Sequence, residues 1–134
     1  MTYKVKLNTK PDIPNANGVI FPKLVLESAI KKYLEQPVSR RLGTTRYGDN
    51  GAILNLSDAA FTVLNIENVN GEYIAEIELI QTPKGKGIRE QLNADDYRLC
   101  SMCVANTNEV SGNLEVQNDL GITYYTLYPK ERCA

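Results

Sequence analysis

The dipeptide Asn70-Gly71 constrains the fold of this chain more than any other pair of residues. Asn-Gly suits a two-residue turn with positive φ at both positions, which reverses the chain and holds two antiparallel strands in one register. With that turn, Val69 faces Glu72, Ile66 faces Ala75 and Leu64 faces Ile77. One face then collects Leu64, Ile66, Tyr73, Ala75, Ile77 and Leu79. The other collects Asn65, Glu67, Glu72, Glu76 and Glu78. A slip of one residue would mix the two sets. The sequence therefore predicts a hairpin over Ala60–Ile80 with one buried and one wet face. Its glutamates could be read as catalytic carboxylates or a cation site. Alternation already accounts for them, and no D-x-D-x-D-G calcium loop occurs.

The flanking segments extend this pattern. Tyr3, Val5 and Leu7 alternate with Lys4 and Lys6, predicting a half-solvated strand whose lysines suit a sheet edge. Pro11–Gly18 reads as a loop, with two prolines and a turn-forming Asn17-Gly18. Leu26, Ala29, Ile30, Tyr33 and Leu34 repeat at three and four, predicting a helix over about residues 22–35. Pro22 fits its first turn and Pro37 its stop. Val38–Gly51 reads as a mobile loop, in which Arg40, Arg41 and Arg46 are either a solvated face or an anion or partner contact. Thr82-Pro-Lys-Gly-Lys-Gly87 resembles a phosphate loop in composition but lacks G-x-x-x-x-G-K-[ST]. It leads into a short helix containing Ile88 and Leu92. Strands follow at Tyr97–Ala105, weakly at Leu114–Val116, and at Ile122–Tyr128. Tyr124, Tyr125 and Tyr128 fall on both faces of that last strand, so they are core and rim or a partner contact. Together these elements predict a single α+β domain over residues 1–134: a mainly antiparallel sheet or small β-barrel with one long and one short helix.

Composition restricts the chemistry. The chain of 134 residues has no histidine. Histidine is the usual general base and the commonest metal ligand near neutral pH, so Ser-His and Cys-His nucleophile pairs and His-containing zinc sites are excluded. Lys plus Arg is 15 and Asp plus Glu is 16, a net charge of 15 − 16 = −1, which gives no electrostatic support for nucleic acid or anionic lipid. No apolar run approaches the ~20 residues of a membrane span, and alternation in Met1–Lys10 is unlike a signal peptide. Cys100, Cys103 and Cys133 form an odd set, suggesting free thiols in a reducing compartment. Cys100-Ser-Met-Cys103 has C-x-x-C spacing, yet residues three apart on a strand point to opposite faces. Structural thiols are the plainer reading. No cofactor or metal site is expected.

Three segments, in this order, carry a family resemblance. Pro14-Asn-Ala-Asn-Gly-Val-Ile-Phe-Pro-Lys-Leu-Val-Leu26 resembles the "P-N-x-N-G-x-x-x-P-x-x-V-L" opening of bacteriophage prohead (capsid maturation) proteases. Thr82-Pro-Lys-Gly-Lys86 resembles their "T-P-x-G-K" segment. In that family a strand bearing the nucleophilic serine follows, and Leu99-Cys-Ser-Met102 stands there. The family is similar to the herpesvirus assemblin fold, a small β-barrel with surrounding helices. Family members place a histidine in a Gly-Glu-Leu-Gly-His-Pro-like stretch after the first helix; here Arg41-Leu-Gly-Thr-Thr-Arg-Tyr-Gly48 has none. The "S-x-R-G" context is replaced by Ser101-Met-Cys-Val.

The resemblance implies a protease scaffold without its chemistry, with Ser101 only the positional counterpart of a nucleophile. The expected function is therefore non-enzymatic: a virion structural protein, such as a capsid decoration or cement protein. It would bind the major capsid protein or another virion protein as a symmetric oligomer or lattice, resident in the host cytoplasm before assembly. The alternatives are a maturation serine protease using Ser101, or a small phage accessory or inhibitor protein.

Overall fold

A computed structural model describes residues 2–45, 59–82, 85 and 93–130. Arg46, Cys133 and the short helix expected at Ile88–Leu92 lie outside the described residues. Nine strands and a 12-residue helix occur among those described. In chain order they are β1 (Thr2–Lys6), β2 (Val19–Ile20), α1 (Lys23–Leu34), β3 (Leu42–Thr44), β4 (Phe61–Val69), β5 (Glu72–Leu79), β6 (Tyr97–Val104), β7 (Thr107–Val110), β8 (Asn113–Val116) and β9 (Gly121–Pro129). Turns of 3₁₀ helix cover Val38–Arg40 and Ala94–Asp96.

The predicted hairpin is β4–β5, turning at Asn70 (φ 54°) and Gly71 (φ 88°). Val69 pairs with Glu72 and Ile66 with Ala75, as turn chemistry requires. Beyond Asn65 the register shifts. Val63, not Leu64, faces Ile77, and the extra residue is a β-bulge between Val63 and Asn65. Leu64 is consequently half-buried while Phe61 and Val63 are fully enclosed.

β4 and β5 belong to a six-stranded sheet in the order β1-β5-β4-β3-β9-β6. β1 is at its edge, as its lysines imply, and Lys6 reaches Glu72 at 3.0 Å. That exposed ammonium holds the Glu72 carboxyl below its ordinary pKa. The other edge is β6. The two edges meet at a single parallel bridge, Leu7–Leu99, with the Asn8 N–H donating to the Leu99 carbonyl at 2.8 Å. The sheet curls but is not closed by a ladder, which corrects the expectation of a barrel to an open α+β sheet. A second sheet, β2-β8-β7, contains an unpredicted hairpin, β7–β8, which turns on Ser111 (φ 52°) and Gly112 (φ 84°).

The core fills the curl. Val5 and Leu7, Phe61, Val63 and Ile66, Tyr73, Ala75 and Ile77, Leu99, Tyr125 and Leu127 are all below 9% exposed. Helix α1 covers it with Leu26, Ala29, Ile30 and Tyr33, packing on β9 and β4. The Tyr33 and Tyr125 rings meet edge to face, centroids 5.2 Å apart. Pro22 is the residue before the helix, not within its first turn. No capping side chain is close in sequence; instead Asp12 (φ 64°) crosses from the preceding loop and accepts the Lys23 N–H at 3.0 Å. No helix of the described residues is long and apolar enough to cross a membrane.

Candidate functional site

Ser101 lies midway along β6, paired with Tyr125 of β9. Tyr125 pairs in turn with Gly43 of β3, and Gly43 with Phe61 of β4. The neighbouring row runs Cys100, Thr126, Thr44. The stretch that stands where the proteases it resembles carry histidine therefore supplies Gly43 and Thr44 to β3, two strands from β6. Two inter-strand spacings amount to roughly 10 Å. Neither residue is a proton acceptor of useful strength. Gly43 has no side chain because the Phe61 ring fills that space: a Cβ at Gly43 would sit 2.0 Å from Phe61 Cζ.

Ser101 opens onto a groove of about 130 Å³ lined by Asn8, Thr9, Asn15, Asn17, Phe21 and Cys100. Among these described residues the polar groups are carboxamides, hydroxyls and a thiol. A carboxamide or hydroxyl does not accept a proton at neutral pH. Cys103, two residues along the same strand, also faces Ser101; burial raises its thiol pKa, and a hydrogen bond with Ser101 offsets this only in part. A thiol so placed stays protonated near neutral pH and does not activate a hydroxyl. Cys100 is buried and Cys103 half-buried, both as free thiols. Among the described residues, no cluster of three carboxylates or thiols could hold a metal ion.

The motifs that carry the family resemblance build the walls of this site and its neighbours. Asn15 Oδ1 accepts the N–H groups of Asn17 (2.9 Å) and Val19 (3.0 Å), closing a side-chain-stabilised turn. Gly18, at φ +75°, ends that turn and passes its carbonyl to the Leu114 N–H, which docks β2 on β8. In the second motif the Thr82 hydroxyl donates to the Ala59 carbonyl and accepts the Gly85 N–H at 3.1 Å. A Cβ at Gly85 would lie 2.0 Å from the Ile80 carbonyl oxygen. Asn15, Gly18, Thr82 and Gly85 of these motifs thus each have a local architectural duty. Asn15 and Asn17 line the groove, and their place in the Pro14–Gly18 motif was the signal for them; nothing in the local pattern marks Asn8 or Thr9.

The remaining candidates separate by burial. Arg40 is exposed. Arg41 is not on a loop surface but buried, its Nη1 3.5 Å from the Leu34 carbonyl that ends α1 and its Nε without a partner among the described residues. Tyr124 and Tyr125 are 2% and 1% exposed, so neither offers a contact to a partner; only Tyr128 is part-exposed. β9 lies inside the sheet, between β3 and β6, and residues on both its faces are buried. Burial pushes the Tyr33 and Tyr125 hydroxyls well above the ordinary tyrosine range.

The chain is similar in structure to the capsid assembly protease gp21 of bacteriophage T4, with a TM-score of 0.75 and 17% sequence identity over 93% of this chain and 80% of that one. At that identity the likeness establishes the fold. No protein-family model matches the chain, and no curated protein matches it in sequence.

Proposed function

We propose that this chain, built on the fold of a phage capsid assembly protease, is a non-enzymatic capsid component that binds the major capsid protein or another virion protein. The observation that supports this most is the composition of the groove around Ser101. Its described lining offers hydrogen-bond donors and acceptors but no group able to take the serine proton. The fold shared with gp21 supports a setting of capsid assembly. A scaffold that recognises capsid chains can keep its binding surfaces after its proton acceptor is lost, because recognition and proton transfer depend on different groups. Placement on a symmetric lattice, with assembly in the host cytoplasm and residence in the virion, follows from that role.

The test is the protein content of purified particles. A decoration role predicts the chain in mature capsids at a fixed copy number set by lattice symmetry, and unchanged incorporation of Ser101→Ala. Cleavage of scaffold or capsid protein by the purified chain, abolished in Ser101→Ala, would contradict it.

A further inference from the structure

We infer that the free edge of the smaller sheet, strand β7, takes up an extended antiparallel segment of another polypeptide that carries lysine or arginine at alternate positions. β7 pairs with β8 on one side and with no described strand on the other, and all four of its residues are exposed. Hydrogen-bond parity fixes which backbone groups that edge presents. The Leu114 N–H donates to the Gly18 carbonyl at 2.8 Å, so it points away from β7, and its β7 partner Glu109 points away from β8. Thr107, opposite Val116, has the same parity. The N–H and C=O of Thr107 and Glu109 thus face outward in the plane of the sheet, with no backbone partner among the described residues. The start of the strand is held in place. Asp119 accepts the Asn106 N–H at 3.0 Å and its Nδ2 at 2.7 Å, and the Asn106 carbonyl accepts the Gln117 N–H at 2.9 Å. A ligand strand therefore meets an edge already ordered. β7 has no proline, lysine or bulge, the devices that guard exposed edges.

Charge and apolar exposure decide the occupant. Between Arg98 and Lys130 the chain carries Glu109, Glu115 and Asp119 and not one lysine or arginine. Neither Glu109 nor Glu115 forms an ion pair among the described residues. A second copy paired edge to edge would set acid beside acid with no cation between them, whereas a basic segment neutralises the edge. Glu109 shares its face of the sheet with the exposed Leu114, and the exposed Val110 lies on the other face. On the added strand, cationic side chains opposite Glu109 would meet its carboxylate and lay their methylenes over Leu114, and apolar side chains on the other face would cover Val110. Binding at β7 requires neither a capsid nor the Ser101 groove.

The probe is a fluorescein-labelled peptide alternating Lys and Val, titrated with the full chain at low salt and read by anisotropy. It should bind, and the exposed charge reversal Glu109→Lys should weaken it about tenfold. Circular dichroism verifies that this variant is folded. A peptide with Glu in place of Lys should not bind. N-methylation of the Lys amides should abolish binding and N-methylation of the Val amides should not, because the residue opposite Glu109 is the one that exchanges backbone hydrogen bonds with it. In the unaltered protein, bound peptide should slow hydrogen exchange at the Thr107 and Glu109 amides and leave Asn108 and Val110 unchanged. Absence of binding, or binding indifferent to Glu109→Lys or to methylated Lys amides, would overturn the proposal. So would a dimer of the unliganded chain, seen by sedimentation, that Thr107→Pro dissociates, since β7 would then be taken by a second copy. The assay involves no capsid, so its failure and the failure of the decoration reading are separate results.

Discussion

Replacing Gly43 by alanine tests whether β3 is packed as tightly as described. An added Cβ would sit 2.0, 2.2 and 2.7 Å from Phe61 Cζ, Cε2 and Cε1. Non-bonded carbons rest at about 3.5–4.0 Å, so the ring or the strand must move by more than 1 Å. Neither moves easily. Phe61 is 0% exposed, and β3 is hydrogen-bonded between β4 and β9. Gly43 does not have the positive φ that would add backbone strain, so the penalty isolates the steric clash. Overpacking of this kind costs about 1–3 kcal/mol, and full burial of the ring argues for the upper half. In a domain of this size each kcal/mol lowers Tm by about 4 °C, so the upper half of that range gives a fall of about 8–12 °C. Thermal and urea unfolding followed by circular dichroism would measure it. On a Phe61→Leu background the same change should cost less than about 0.5 kcal/mol, because the clashing ring is gone. A Gly43→Ala protein as stable as its parent, or an equal penalty with and without the ring, would show that Phe61 does not fill the space beside Gly43.

Two further outcomes follow from the packing around α1. Asp12→Ala removes the acceptor of the Lys23 N–H and leaves a β-carbon at φ 64°; it should cost about 1–2 kcal/mol in urea unfolding, and Asp12→Gly less, since glycine relieves the φ strain. Tyr33 and Tyr125 are held neutral by burial, their folded pKa values raised above the ordinary 10. The stability tied to those protons is fully present below pH 10 and is lost as pH rises through the raised folded values, because the unfolded chain releases them first. Ultraviolet titration should show these two tyrosines ionising only with unfolding, and stability that rises with pH above 10 would contradict their burial.

Legibility in the sequence followed how far turn chemistry and side-chain pattern agreed. At Asn70-Gly71 both pointed to one register, and the turn and near half of the hairpin are as read. The bulge at Leu64 left no trace because Phe61-Thr-Val-Leu is apolar enough on both parities to tolerate a shift. Ser111-Gly112 forms the same kind of turn, yet β7 is exposed throughout and has no apolar alternation, so only the dipeptide could have announced it. Tyr124 and Tyr125 are adjacent, and alternation suggested one inward and one outward. Both are buried because β9 is an interior strand with both faces covered. Arg41 looked like a loop cation; its burial beneath the end of α1 depends on tertiary packing that no local pattern encodes. Of the Ser101 groove, the sequence marked the serine and the Asn15–Asn17 turn, while Asn8 and Thr9 arrive only because the β1 and β6 edges meet.

A non-enzymatic role requires that the Ser101 hydroxyl have no activating base. Incubation of the full chain with a fluorophosphonate, which labels serines only when they are activated, followed by intact-mass and peptide mass spectrometry, measures this directly. No phosphonyl adduct should form at Ser101 from acid to mildly alkaline pH. A stoichiometric adduct at Ser101, lost in Ser101→Ala, would contradict it.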